Sequence, residues 1–152
     1  MRVVGLDVGA RRIGVAVSDA TRTLARPVGV LRSSGLGART LDVVANEVAR
    51  LSNEEDGVDA LVVGLPRRLD GSANEMTAGV EAFARALEAR TGLRVVLQDE
   101  RLTSREAESR LALREKDWRV RKARLDAAAA AVILQDYLDA SAPRPSEDAH
   151  QW

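Results

Sequence analysis

Cysteine is absent from this 152-residue chain, and its one histidine, His150, stands third from the end. Without cysteine there is no disulfide, no zinc–thiolate site and no thiol nucleophile. A lone histidine at that position removes Ser-His-Asp triads, histidine general bases and His-ligated metals from consideration. Aromatic residues are scarce as well: one Phe, one Tyr and two Trp. The 45% of hydrophobic residues must therefore build an aliphatic, Ala-rich core. No run approaches the ~18 apolar residues of a membrane span, and no charged-then-apolar leader resembles a signal peptide. The expectation is a cytoplasmic protein with no membrane partner. An excess of charge is missing too, since 23 basic residues balance 23 acidic ones. Chemistry is left to carboxylates, arginines, hydroxyls or a metal held by oxygen ligands.

What is present begins with Met1 to Asp19, two apolar β-branched runs around a turn containing Gly9, which reads as a β-hairpin. Leu24 to Leu31 reads as a third strand, with Pro27 pointing to a sheet edge. Leu41, Val44, Val48 and Leu51 recur at helical spacing, predicting a helix over 38–51. Asp59 to Gly64 is an unbroken apolar run typical of a strand covered on both faces. A Pro- and Gly-bounded loop, Leu65 to Gly71, follows. Ser72-Ala-Asn-Glu75 has capping-box spacing and predicts a helix ending near Gly92. Leu93 to Leu97 reads as a buried strand, and a second capping box at Thr103 to Glu106 opens another helix. An Ala-rich helix is predicted from about Lys122 to Leu138. The expected fold is α/β: a mixed five-stranded sheet, antiparallel meander first and parallel strands after, with helices on both faces. Residues 1–140 form one domain in this reading, and the proline-interrupted 141–152 a disordered tail.

Three acidic positions stand out by their place in that scheme. Asp7 sits inside the apolar first strand, where an ionised carboxylate costs several kcal/mol, as a rough transfer estimate, unless a metal, a cation or a turn compensates it. Asp99 and Glu100 follow directly on the strand ending at Leu97, and ligands of open α/β sheets gather beyond such carboxyl ends. Asp126 opens a helical stripe continued by the apolar Ala130 and Ile133. Carboxylates meeting from separate elements make an oxygen-ligand pocket suited to Mg²⁺ or Mn²⁺. Taken singly, Asp7 also suits a turn-capping role, and Asp99 and Glu100 also suit a solvated loop paired with Arg101.

Basic residues gather around the same places. Arg11 and Arg12 follow the hairpin turn, Arg67 and Arg68 the fourth strand, and Arg101 the fifth. Arg114 to Arg124 holds six basic residues against two acidic ones, among them Arg119, Arg121, Lys122 and Arg124, with Trp118 in their midst. Arginines rimming an acidic pocket suit a polyanion whose phosphates need orienting, and Trp118 suits either base stacking or a core anchor. Gly14 and Gly64 are positions where a backbone admits a ligand closely.

Four motifs taken in order resemble the YqgF family, also called RuvX or Holliday-junction-resolvase-like proteins, of RNase H-like fold. They are Gly5-Leu-Asp-Val-Gly9 with Ile13-Gly-Val-Ala-Val17, Val63-Gly-Leu-Pro66 with Leu69-Asp-Gly71, Asp99-Glu-Arg-Leu-Thr103, and Leu125-Asp-Ala-Ala-Ala-Ala130. The resemblance implies a nuclease using Mg²⁺ or Mn²⁺, with Asp7, Glu100 and Asp126 as the catalytic acids and Asp99 as an auxiliary ligand. It implies hydrolysis of phosphodiester bonds in 5′-end processing of pre-16S ribosomal RNA, or alternatively cleavage of branched DNA. One departure is plain: many relatives have Asn after Gly-Leu-Pro, where this chain reads Arg67-Arg68.

Two readings compete within nuclease chemistry and two outside it. A Holliday-junction resolvase needs two facing sites and hence a homodimer. An ATP-binding domain of the actin or sugar-kinase type also begins with an Asp-x-Gly hairpin but needs a second domain to enclose nucleotide. A silent nucleic-acid-binding factor would keep its carboxylates for structure alone.

Overall fold

The computed structural model describes residues 1–99 and 118–141, with the backbone alone for 118–126. Its five strands are β1 (Arg2–Val8), β2 (Arg12–Ser18), β3 (Ala25–Arg32), β4 (Val58–Leu65) and β5 (Arg94–Asp99). They lie in the order β3-β2-β1-β4-β5. β1, β2 and β3 pair antiparallel, while β4 pairs parallel with both β1 and β5. The mixed sheet read from the sequence is the one observed.

Side-chain alternation along the strands divides the core in two. On one face Val4, Leu6 and Val8 of β1 join Ile13, Val15 and Val17 of β2 and Leu61, Val63 and Leu65 of β4. Against them pack α1 (Ala38–Ser52) and α2 (Thr77–Thr91), through Val44, Val48 and Leu51, and Val80, Phe83 and Leu87. On the other face Val3, Ala16, Ala60 and Val62 meet α3 (Trp118–Ser141) through Ala130, Ile133, Leu134 and Leu138. Small residues on both sides of this second interface let the helix sit low on the sheet. Each large side chain fully buried in either layer, such as Leu61 or Ile133, stabilises the fold by about 1.5–3 kcal/mol. Among the described residues no helix is long and apolar enough to cross a membrane.

Pro27 lies on the edge strand β3, as its missing N–H requires, at the point where the β2–β3 register shifts. α2 ends at Gly92, whose φ of 72° serves the left-handed cap. Three expectations are corrected. Ser72 does not cap α2, which begins at Thr77 with Met76 as its N-cap; ahead of it the Asn74 Oδ1 accepts from the backbone N–H of Met76 (2.8 Å) and of Thr77 (3.1 Å). Ser72 is instead bound to Asp70, whose Oδ1 accepts from its N–H and its hydroxyl. The strand after Leu93 is not buried on both faces: β5 is a sheet edge, and Leu97 is 40% exposed. Ser141, expected in the tail, is the last residue of α3. The predicted helix after Thr103 and residues 142–152 lie outside the described residues.

Candidate active site

Asp7 is placed by the β1–β2 ladder, where it pairs with Gly14. It lies before the turn, and the Gly9 N–H of that turn is taken by the Arg12 carbonyl (2.9 Å). Alternation sets Asp7 on the α3 face with Val3 and Gly5, and the side chain is half-buried.

The neighbours of Asp7 on that face are glycines. Gly14 stands across from it on β2. On β4 the parallel register runs to Leu6–Val63, and one step further Gly64 comes beside Asp7. Gly64 and Gly14 each fall between residues packed on the opposite face, Val63 and Leu65, and Ile13 and Val15. Along β1 itself the preceding residue on this face is Gly5. The carboxylate thus rises from a floor without side chains on three sides, next to the carboxyl ends of two parallel strands. Gly64 pairs in turn with Gln98 of β5, the next polar side chain along the row.

α3 crosses this face in a fixed direction. The Gln135 side chain accepts from the Ala25 N–H and donates to the Thr23 carbonyl, both at 2.9 Å. Those residues begin β3 beside Ser18, whose hydroxyl accepts from the Val3 N–H (2.9 Å). The start of β1 is therefore level with Gln135. Gly5 lies beneath Leu134 and the Ala130 carbonyl. Moving from Gly5 to Asp7 advances about 6.6 Å along the strand. One helical step of four residues towards the amino end of α3 advances about 6 Å. That step from Ala130 arrives at position 126, on the same stripe of the helix.

The other expected site residues separate. Asp99 ends β5 opposite Leu65, which packs on the α1/α2 side, so alternation sets it on the face away from Asp7. Gln98, which sequence reasoning passed over, shares the Asp7 face instead; only the register reveals it. Glu100 and Arg101 lie outside the described residues. Arg11 is exposed within the hairpin turn, its carbonyl accepting from the Ser33 N–H (2.8 Å). Arg12 begins β2, half-buried and on the Asp7 face. Arg67 and Arg68 are exposed just beyond the end of β4. Positions 119, 121, 122 and 124 fall in the first two turns of α3, the end nearest Asp7. Among the described residues no three acidic or histidine side chains gather as a metal cluster, and Asp7 is the one member of the expected catalytic triad described at side-chain level.

The donor chemistry at Asp7 fits a hard divalent cation. A half-buried carboxylate on an apolar strand supplies the anionic oxygen that such a cation takes.

The family model RuvX, described as Holliday junction resolvase, matches residues 1–140. A protein of Anaeromyxobacter sp. (strain Fw109-5) named "putative pre-16S rRNA nuclease" is 44% identical over 141 residues, covering 91% of this chain and 97% of its own. A protein of the same name from Moorella thermoacetica is 43% identical over 140 residues, covering 91% and 95%. Among solved structures, Thermus thermophilus RuvC in complex with Holliday junction substrate superposes with a TM-score of 0.54 at 18% identity, over 92% of this chain and 95% of that one. Fowlpox virus resolvase with Holliday junction DNA gives a TM-score of 0.59 at 12% identity, over 92% and 98%. These two establish the RNase H-like fold.

Proposed function

The chain belongs to the RuvX family, and from that premise we propose that it is a metal-dependent endonuclease hydrolysing phosphodiester bonds in pre-16S ribosomal RNA, at its 5′ end. The cell compartment that goes with this substrate is the cytoplasm. The reading is supported by the family match together with Asp7, which pairs with Gly14 near the carboxyl end of β1, beside the parallel strand β4.

Asp7, Glu100 and Asp126 would hold Mg²⁺ or Mn²⁺. Bound there, the metal supplies an activated water and charge stabilisation for the leaving oxygen. The chain's own part is positional. Gly14 and Gly64 let a phosphate approach the Asp7 carboxylate without displacing a side chain. Arg11, Arg67 and Arg68, on exposed turns at the same edge, bind flanking phosphates and fix the strand's direction. The arginines and lysine early in α3 extend that contact. Asp99, on the opposite face, is left out of the cage.

The test is a cleavage panel of pre-16S RNA, four-way junction DNA and single-stranded RNA with Mn²⁺ or Mg²⁺, run for the wild type and Asp7→Asn. Wild-type cleavage of the precursor and a loss of at least about 10³-fold in the variant are expected, since both metal binding and charge compensation go with that carboxylate. Calorimetric Mn²⁺ titration should weaken in parallel. Equal activity in both proteins would refute the assignment. The family description favours one other reading, a junction resolvase. Preferential cleavage of the four-way junction by a sedimenting dimer would establish it in place of the first.

A further inference from the structure

Between Asp7 and Asp42 the chain carries six arginines (Arg11, Arg12, Arg22, Arg26, Arg32 and Arg39) and one carboxylate, Asp19, although the whole protein is neutral. The fold sorts these residues to the two ends of the sheet. Arg22, paired with Asp59, lies at the end away from Asp7, as do Arg26 and Asp19. Arg11, Arg12, Arg32 and Arg39 lie at the Asp7 end, where the segments that carry them are tied together. The Ser33 N–H donates to the Arg11 carbonyl (2.8 Å) and the Gly35 N–H to the Ala10 carbonyl (3.2 Å). The hydroxyls of Ser33 and Thr40 stand 3.4 Å apart, joining the end of β3 to the first turn of α1.

Two of these placements work against the fold. Arg32, the last residue of β3, stands directly across from Arg12, two residues beyond the Gly14–Val30 pair. Leu31 packs on the α1/α2 side, so alternation sets Arg32 on the Asp7 face. Like charges directly opposite on neighbouring strands destabilise a sheet. Arg39 sits in the first turn of α1, where a cation opposes the helix dipole. Arg12 is half-buried and has an interaction of its own. Arg11, Arg32 and Arg39 are exposed, and among the described residues no carboxylate pairs with any of the three. Cations gathered at a local cost, with no acid to offset them, mark a surface that meets an anion from outside the chain.

We propose that Arg32, with Arg11 and Arg39 around it, binds the phosphates of the RNA strand on the β3 side of Asp7, opposite Arg67 and Arg68 on the β4 side. In the order β3-β2-β1-β4-β5, β3 lies two strands from β1 and β4 lies one strand away on the other side, about 10 Å and 5 Å. The strand being cut then has cationic contacts on both flanks of the scissile bond. That arrangement suits cleavage within a chain and not the removal of terminal nucleotides. The proposal rests on the nuclease reading above and adds the form of RNA recognised, an internal stretch with phosphates on both sides.

The experiment reads RNA affinity against salt by fluorescence anisotropy, in an Asp7→Asn background so that the strand is not cut. The probe is a labelled single-stranded RNA spanning the position that the wild type cleaves, used whole and shortened from either end. Arg32→Gln should lower the slope of log K against log salt by about 0.7, one phosphate contact on a single strand. Arg32→Lys should keep the slope. Arg26→Gln, on the same strand about 20 Å away, should leave it unchanged. Removing one flank of the RNA should abolish the effect of Arg32→Gln while that of Arg67→Gln persists, and removing the other flank should do the reverse. Arg32 is exposed, so melting should not change. An unchanged slope, an equal effect of Arg26→Gln, or loss of both arginine effects with the same flank would overturn the proposal. Failure of the nuclease reading shows elsewhere: the wild type then cuts no substrate with Mn²⁺ or Mg²⁺, while the slope on the whole RNA still decides for or against Arg32.

Discussion

Gly5 of β1 and Leu134 of α3 are in direct contact: a Cβ added at Gly5 would stand 2.7 Å from the Leu134 Cβ and 3.1 Å from the Ala130 carbonyl oxygen. Neither of those atoms is the end of a flexible side chain, so the helix itself would have to rise. The closeness of this one crossing sets the height of α3 over the sheet.

Gly5→Ala should therefore destabilise the protein by about 1–3 kcal/mol, the usual cost of overpacking, despite the small entropic gain of replacing a strand glycine. Urea denaturation measures the first effect. Mn²⁺ affinity, titrated in the folded variant, should fall as well, because the lifted helix carries one of the proposed ligands away from the other.

Gly14→Val places a branched side chain beside Asp7 on the same face. RNA cleavage should drop at least about tenfold through lost substrate approach, equivalent to about 1.4 kcal/mol of transition-state binding. Mn²⁺ affinity should change less than cleavage does. Kinetics alongside calorimetry separate the two, and equal losses in both would show that the floor serves the metal and not the phosphate.

Arg67→Gln and Arg68→Gln should weaken RNA binding without altering the melting temperature, both residues being exposed. Each should reduce the slope of log K against log salt by about 0.7, the value for one phosphate contact on a single strand. An unchanged slope would remove that arginine from the phosphate path.

Arg2 is 5% exposed and bonds the Gly57 and Leu51 carbonyls and Glu54 Oε1 (3.2, 2.9 and 2.9 Å), tying the start of β1 to the end of α1. Arg2→Ala leaves two carbonyls without that donor and should cost about 2–3 kcal/mol in chemical denaturation.

The Arg2 hydrogen bond holds the Glu54 carboxyl below its ordinary value of 4.5, against a smaller opposing effect of desolvation. A carboxyl lowered in the folded state adds stability that is present above the unfolded value and is lost as pH falls through the lower folded one. Asp19 behaves alike, its carboxylate accepting first from the Thr23 N–H and then from the Thr21 hydroxyl. Glu54→Gln should thus flatten part of the acid limb of stability against pH, with Asp19 retaining the rest. Melting temperatures between pH 3 and 6, on the order of the carboxylate range, test this.

Sequence spacing located α1 and α2 to within a few residues because their buried stripes, Val44-Val48-Leu51 and Val80-Phe83-Leu87, repeat at the period of the helix itself. The start of α2 was misread at Ser72, since a capping-box spacing does not reveal that the hydroxyl is already engaged by Asp70 inside a hairpin. The burial of β5 was misread because an apolar run looks the same at a sheet edge as at its centre.

By itself the sequence determined the class of chemistry. With no cysteine and one histidine, at position 150, chemistry was left to carboxylates, arginines, hydroxyls or a metal held by oxygen ligands, and Asp7 on its apolar strand called for compensation by a metal, a cation or a turn. Which face of the sheet each described acid takes was decided by tertiary structure. A strand's alternation is local, but which of its faces meets which helix depends on pairings between residues far apart, such as Asp7 with Gly14 and Leu65 with Asp99. That long-range register turned Asp99 away from Asp7, surrounded Asp7 with glycines and brought α3 across at the height that Gly5 permits.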